Sequence, residues 1–131
     1  MTRILVVEDD AAIVDTLTSL LRSEGYETEQ TDRQAAAVAL LESTRFDLAL
    51  VDVSLAQGNG SAVCAAAKAA TPSPAVIFLT ASDDEYSTVA GLEMGAEDYI
   101  AKPFRARELL SRIRGALRRT SGASPVLALG D

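Results

Sequence analysis

Four short apolar runs in the sequence each lead directly into residues that could take part in chemistry. These residues are Glu8, Asp9 and Asp10 after the first run, Asp52 after the second, Thr80 after the third and Lys102 after the fourth. Carboxylates, a hydroxyl and an amine can together hold a divalent cation and stabilise a phosphoryl group in transfer. Whether they act together depends on the elements that carry them.

The apolar runs alternate with segments of helical period, which predicts an α/β fold of five strands and five helices. The predicted strands are Ile4–Val7, Tyr26–Gln30, Phe46–Val53, Ala75–Leu79 and Tyr99-Ile100. The predicted helices run from Ile13 to Gly25, from a cap at Asp32 through Leu41, over Ser61–Ala70, through Val89 and Leu92 to Gly95, and over Leu109–Leu117. We expect a flavodoxin-like (βα)5 three-layer sandwich with a parallel sheet of strand order 2-1-3-4-5. The carboxyl ends of its strands share one edge, so the polar residues should converge there.

The charges at this edge predict a metal ion. Glu8, Asp9 and Asp52 repel one another unless a cation offsets their charge, and Lys102 still leaves an excess of about two negative charges. Mg²⁺ (or Mn²⁺) suits such a site, because it binds a few carboxylate oxygens and keeps several waters. A carboxylate beside a metal, a hydroxyl and a lysine can act as the nucleophile in phosphoryl transfer.

Each residue also has a purely structural interpretation. Asp9 or Asp10 could cap the following helix. Asp52 could belong to an ordinary turn with Gly58 and Gly60. A single threonine or lysine after a strand indicates nothing. The occurrence of all of them at the same end of successive strands is what indicates a site.

Composition excludes several other functions. The chain has a single cysteine, Cys64, and no histidine, which excludes an intrachain disulfide, His-dependent catalysis and the commonest zinc sites. The net charge of −7 argues against direct binding of nucleic acid or of an anionic membrane. With no apolar run long enough to span a bilayer, we expect a cytoplasmic protein without membrane contact.

The 131 residues predict one domain and a short appendage. We expect a domain over residues 1–120, then a linker over 121–131 that begins Ser121-Gly122-Ala123-Ser124-Pro125. Val126–Leu129 reads as the opening strand of a further domain, or as a segment that packs on the first one.

Four motifs resemble the receiver domain of bacterial two-component response regulators, the CheY-like family. They are ILVVEDD (4–10), DLALVDVSL (47–55) with Gly58 and Gly60, FLTAS (78–82) and GAEDYIAKPF (95–104). The resemblance covers about residues 1–119. It implies that Asp52 accepts a phosphoryl group from a sensor histidine kinase. The chain would then be no enzyme, beyond assisting its own phosphorylation and dephosphorylation.

The resemblance also implies a role for each residue of the site. The implied metal ligands for Mg²⁺ are Glu8, Asp9, Asp52 and the backbone carbonyl of Ser54. Thr80 would hydrogen-bond the phosphoryl group, Lys102 would pair with it, and Tyr99 would move inward as the family's aromatic switch. The Lys102-Pro103 peptide bond is expected to be cis.

Within the family, the chain resembles the OmpR/PhoB-type winged-helix transcriptional regulators. These form a phosphorylation-dependent homodimer through the fourth helix, the fifth strand and the fifth helix of the domain. The matching charges are Glu93, Glu97, Asp98, Arg107, Glu108 and Arg112. An acidic segment, 82–98, followed by a basic one, 99–119, fits a self-complementary face, although ordinary ion pairs within the chain would give the same pattern. DNA would be bound only by a missing C-terminal domain.

The sequence departs from the usual pattern of the family near the site and on the dimer face. Ala56 replaces the family's usual proline, and Thr88 replaces a basic dimer residue. Ser54 and Ser82 lie at positions where the family tunes the lifetime of the phosphoryl group.

Three other functions are alternatives to this interpretation. One alternative is a stand-alone phosphorelay receiver. A Mg²⁺-dependent phosphohydrolase of haloacid-dehalogenase type is disfavoured because Asp52 lacks a partner aspartate two residues later. A nucleotide or flavin binder would need a glycine-rich loop in place of Glu8-Asp9-Asp10.

Overall fold

A computed structural model of the chain describes residues 1–53, 58–81 and 94–121. Five parallel strands form one sheet in the order β2-β1-β3-β4-β5, which confirms the predicted topology. The strands are β1 (Arg3–Val7), β2 (Glu27–Thr31), β3 (Leu48–Asp52), β4 (Ala75–Ala81) and β5 (Asp98–Lys102). The helices are α1 (Ala11–Ser23), α2 (Gln34–Ser43), α3 (Gly60–Ala69) and α4 (Ala106–Ser121).

Two predicted elements lie outside the described residues. These are the helix through Val89 and Leu92 and the strand over Val126–Leu129. The helix labelled α4 here is therefore the last of the five helices that the sequence predicts.

Burial explains why the central strands are apolar along most of their length and polar only at their ends. Leu5 and Val7 of β1 face a core shared with α2 and α3, while Ile4 and Val6 face a second core shared with α1 and α4. A strand covered on both faces needs apolar side chains at every position, as parallel sheets do. The predicted three-layer sandwich is thus confirmed. The polar strand β2 lies at one edge of the sheet, as the predicted strand order requires.

Of the two predicted N-cap residues, the structure confirms Asp10 and contradicts Asp32. Asp10 caps α1, since its Oδ1 accepts hydrogen bonds from the N–H groups of Ala12 (2.9 Å) and Ile13 (3.2 Å). The predicted cap at Asp32 is wrong, because Arg33 takes the N-cap position and leaves Asp32 one residue too early. The Asp32 carboxylate instead accepts a hydrogen bond from Arg33 Nε.

Among the described residues, none of the helices is long and apolar enough to cross a bilayer.

Candidate functional site

The carboxyl edge of the sheet brings the predicted site residues together. Glu8 follows β1 directly, Asp52 ends β3, and Lys102 ends β5. Thr80 lies near the end of β4 and is almost fully buried. The neighbouring positions of β1, β3, β4 and β5 in the sheet account for this convergence.

Three carboxylates form a cluster that fits a divalent cation. Glu8, Asp9 and Asp52 each offer one oxygen, and these three oxygens lie within 4.8 Å of one another. Glu8 and Asp52 are buried, whereas Asp9 is exposed. An ion held here would have protein oxygens on one side and water on the other, which is the arrangement Mg²⁺ favours.

Lys102 balances part of this negative charge. Its Nζ lies 3.1 Å from Glu8 Oε1 and 3.2 Å from Asp52 Oδ2. Burial lowers the pKa of Lys102, but the hydrogen bond to Glu8 and the charges of Asp52 and Glu8 outweigh it, so the pKa is raised overall. The ammonium group therefore stays charged at neutral pH.

Glu8 is held at both carboxylate oxygens. Oε1 accepts from Lys102, and Oε2 accepts from the backbone N–H groups of Asp9 (3.1 Å) and Asp10 (3.0 Å). Burial raises the pKa of Glu8, and the hydrogen bonds from Asp10 and Lys102 only partly offset that rise. Each carboxylate oxygen has two lone pairs. The two N–H groups occupy both lone pairs of Oε2, whereas Lys102 occupies one of Oε1 and leaves the other for a cation.

Gly60 lies closer to the site than its place at the start of α3 suggests. Its N–H donates to the carbonyl oxygen of Val53 at 3.1 Å. A Cβ at this position would overlap the carbonyl oxygen of Asp52. The sequence motif includes Gly60, but only the fold shows that its missing side chain lets α3 begin against the backbone of Asp52.

Thr80 and Tyr99, the residues of the predicted switch, lie on the neighbouring strands β4 and β5. Tyr99 lies on β5 with 37% of its surface exposed, and Arg112 Cζ lies 6.0 Å from its ring centroid. Phe78 of β4 pairs in register with Tyr99, and Thr80 pairs with Ala101. The inward movement of Tyr99 remains a prediction. The Lys102-Pro103 peptide bond is cis, as expected.

The predicted dimer face carries ion pairs within the chain. Arg112 Nη1 lies 2.8 Å from Asp98 Oδ1, and Arg112 Nη2 lies 3.2 Å from Glu108 Oε2. Hydrogen bonding to Asp98 raises the pKa of Arg112 above its usual value. Glu97 pairs with Lys68 at 3.5 Å. Ion pairs within the chain therefore account for these charges without a dimer. Dimerisation remains a prediction.

Some predicted residues lie outside the part of the chain that the structure describes. They are Ser54, Ala56, Ser82, Thr88 and Glu93. The roles of Ser54 as a metal ligand and of Glu93 on the dimer face therefore remain predictions.

Comparison with known proteins places the chain in a family. The response regulator receiver domain family matches residues 4–114. The chain is 44% identical over 119 residues to the sensory transduction protein RegX3 of Mycolicibacterium smegmatis, covering 91% of this chain and 52% of RegX3. It is 44% identical over 130 residues to the DNA-binding response regulator MtrA of Mycolicibacterium paratuberculosis, covering 98% of this chain and 57% of MtrA. The chain thus spans about half the length of these curated relatives.

Solved structures agree with this match. A CheY-like receiver domain protein from Methanospirillum hungatei superposes with a TM-score of 0.84 at 35% identity, covering 92% of this chain and 96% of that one. The receiver domain of the sensor histidine kinase PA1611 from Pseudomonas aeruginosa, solved with a magnesium ion coordinated in its active-site cleft, superposes with a TM-score of 0.80 at 28% identity, covering 88% of this chain and 97% of that one.

The chain therefore belongs to the response regulator receiver domain family. Receiver domains of response regulators are signalling modules that interact with histidine kinases. Family membership favours the receiver interpretation over the phosphohydrolase and nucleotide-binding alternatives.

Proposed function

We propose that Asp52 is the phosphoacceptor of this receiver domain and that it takes its phosphoryl group from a sensor histidine kinase. The observation that carries the proposal is the convergence of Asp52 with Lys102 and with the carboxylates of Glu8 and Asp9. Asp52 ends β3 at the edge of the sheet where open α/β folds bind their ligands.

Glu8, Asp9 and Asp52 are the residues that would hold Mg²⁺ (or Mn²⁺), and the backbone carbonyl of Ser54 is a further proposed ligand. When bound, the cation neutralises carboxylate and phosphoryl oxygens that would otherwise repel one another. The cluster of three oxygens and the magnesium ion in the PA1611 receiver domain support this part of the proposal.

The transfer itself needs one bond to form and one to break. An oxygen of the Asp52 carboxylate attacks phosphorus, and the P–N bond to the kinase histidine breaks with its electron pair remaining on the imidazole nitrogen. Lys102 pairs with the phosphoryl oxygens, for which its charged ammonium beside Asp52 is suited. Thr80 donates its hydroxyl hydrogen to the phosphoryl group.

The output of the domain is a change of shape and of association. In the proposed switch, Thr80 moves toward the phosphoryl group and Tyr99 moves inward from its exposed position. The phosphorylated domain then forms a symmetric homodimer through the predicted helix that carries Val89 and Leu92, β5 and α4. The residues that it uses are Glu93, Glu97, Asp98, Arg107, Glu108 and Arg112. A bistable element of this kind lets one local charge change control a distant surface.

The whole protein is proposed to regulate transcription in the cytoplasm. Residues 1–120 form the receiver, and residues 121–131 begin a linker to a winged-helix DNA-binding domain. The support is the name of the relative MtrA, a DNA-binding response regulator, and the length of both relatives, about twice that of this chain. A stand-alone phosphorelay receiver is the second candidate.

The proposal is tested by intact mass spectrometry after incubation with Mg²⁺ and a small phosphodonor such as acetyl phosphate. We expect the chain to gain one phosphoryl group, and Asp52→Asn to gain none. Asp15→Asn, at an exposed carboxylate of α1, is the matched control and should react as the wild type does. An adduct that persists in Asp52→Asn contradicts the proposal.

A further inference from the structure

Gln34, the first residue of α2, contacts the segment that leads into α3. Its Oε1 accepts a hydrogen bond from the backbone N–H of Asn59 at 3.1 Å, across 25 positions of sequence. Asn59 in turn caps α3, since its Oδ1 accepts from the N–H of Ala62 at 2.9 Å. The side chain of Gln34 therefore fixes the residue from which α3 starts.

Gly58 makes this contact possible. Its φ of +102° lies in the left-handed region, and a Cβ at this position would overlap Cβ and Oε1 of Gln34. The half-buried Gln34 side chain occupies the space that a side chain at position 58 would need. Gln34 and Gly58 are thus fitted to each other, one filling the volume that the other leaves open.

The contact reaches the phosphoacceptor through one further residue. Gly60, next to Asn59, donates its N–H to the Val53 carbonyl at 3.1 Å and has no room for a Cβ beside the Asp52 carbonyl. The backbone of Gly60, the residue after Asn59, therefore lies directly against the backbone of Asp52.

We propose that Gln34 is a positioning residue for the phosphoacceptor. It touches no reacting atom, and the inference rests on the proposed function of Asp52. By fixing Asn59, Gln34 holds Gly60 against Asp52, so that the Asp52 carboxylate stays within reach of Glu8 and Asp9. Because a shift of this backbone moves one ligand of a three-carboxylate cluster, loss of the Gln34 acceptor weakens cation binding.

The test compares two substitutions of similar size. Gln34→Leu keeps the volume and removes the acceptor, whereas Gln34→Glu keeps an acceptor oxygen. Gln30→Leu makes the same chemical change at an exposed glutamine of β2 and serves as the control. Amide hydrogen exchange of Asn59 reports the contact itself, and a Mg²⁺ titration followed by NMR shifts of the Asp9 and Val53 amides reports the site.

We expect Gln34→Leu to speed exchange at Asn59 and to weaken Mg²⁺ binding about two- to tenfold, the range that one hydrogen bond provides. Gln34→Glu should restore slow exchange and wild-type affinity, and Gln30→Leu should match the wild type. Unchanged exchange or unchanged affinity in Gln34→Leu overturns the inference, and so does a failure of Gln34→Glu to restore them. If the wild type binds no Mg²⁺ while Gln34→Leu still speeds Asn59 exchange, the proposed function of the site fails and the contact itself stands.

Discussion

Lys102 and Asp52, fifty positions apart in the sequence, are joined by an ion pair with 3.2 Å between Nζ and Oδ2. The same ammonium group lies 3.1 Å from Glu8 Oε1. One lysine thus forms ion pairs with two buried carboxylates. Asp9 is the third carboxylate of the cluster and lies on its exposed side. The charge that Lys102 leaves unbalanced is the physical reason to expect a divalent cation.

Asp9 is the member of the cluster that is open to solvent, and its replacement should weaken cation binding without unfolding the domain. We expect Asp9→Asn to weaken Mg²⁺ binding by at least about tenfold. Isothermal titration calorimetry measures this. Asp10→Ser is the control, because serine removes the neighbouring charge yet can still cap α1. Equal loss of affinity in both variants would mean that net charge, and not ligation by Asp9, holds the cation.

Gly60 should not tolerate a side chain. In Gly60→Ala the new Cβ meets the Asp52 carbonyl oxygen, which is backbone and cannot move freely, so we expect a loss of about 1–3 kcal/mol in the free energy of unfolding. Phosphorylation of Asp52 should slow in the same variant. Urea denaturation and intact mass measure the two effects.

The control for this substitution lies inside α4. In Gly115→Ala the new Cβ meets only the mobile end of Arg119, at 3.3 Å, so helix propensity dominates and we expect a gain of about 0.5–1 kcal/mol. A Gly60→Ala variant as stable as the wild type would contradict the close approach of α3 to Asp52.

The buried thiol of Cys64 should make the stability of the domain depend on pH. The thiol is fully buried in the core between the sheet and α3, and burial raises its pKa, with Lys68 only partly offsetting the rise. Between the pKa of the thiol in the unfolded chain and its higher pKa in the folded state, the folded protein therefore keeps a proton that the unfolded chain has lost. The contribution of the buried thiol to the free energy of unfolding is fully present below the unfolded pKa of about 8.5. It is lost as the pH rises toward the folded pKa.

The measurement is the melting temperature of the wild type and of Cys64→Ala between neutral pH and pH values above that of the free thiol. We expect the stability of the wild type relative to Cys64→Ala to fall as pH rises, and a thiol reagent to modify the folded protein slowly. A difference in melting temperature that is constant with pH would show that the thiol ionises equally in both states.

Arg107 offers a clean test of the dimer. Glu97, Asp98, Glu108 and Arg112 are engaged in ion pairs within the chain, whereas Arg107 is exposed and forms none with the residues that the structure describes. We expect Arg107→Glu to be phosphorylated normally but to dimerise about tenfold or more weakly, because like charges then face one another.

Sedimentation velocity with and without phosphodonor measures this association. Arg45→Glu makes the same charge change at an exposed residue just before β3, at the opposite end of that strand from Asp52, and should leave dimerisation intact. Normal phosphorylation-dependent dimers of Arg107→Glu would remove this residue from the proposed interface.

The convergence of Glu8, Asp52 and Lys102 could be predicted from the sequence because each follows a strand whose apolar run is visible locally. Once the strands are parallel, their carboxyl ends must share an edge. The cap at Asp10 was predictable for the same local reason. The cap at Asp32 was not, because a shift of one residue decides which side chain takes the N-cap position and sequence patterns do not resolve it.

Contacts between distant elements were beyond prediction from local patterns. The hydrogen bond from Asn59 to Gln34 depends on how α2 and α3 pack, and neither residue carries a signal for the other. The division of the Lys102 ammonium between Glu8 and Asp52 likewise depends on side-chain geometry that spacing alone does not provide.

The most direct test of the account is to locate the phosphoryl group. Borohydride reduces an aspartyl phosphate to homoserine, so treatment of the phosphorylated chain followed by peptide mass spectrometry identifies the modified residue. We expect homoserine at position 52, and only when Mg²⁺ and phosphodonor were both present. Homoserine at another aspartate, or phosphorylation that proceeds equally without a divalent cation, would contradict the central claim.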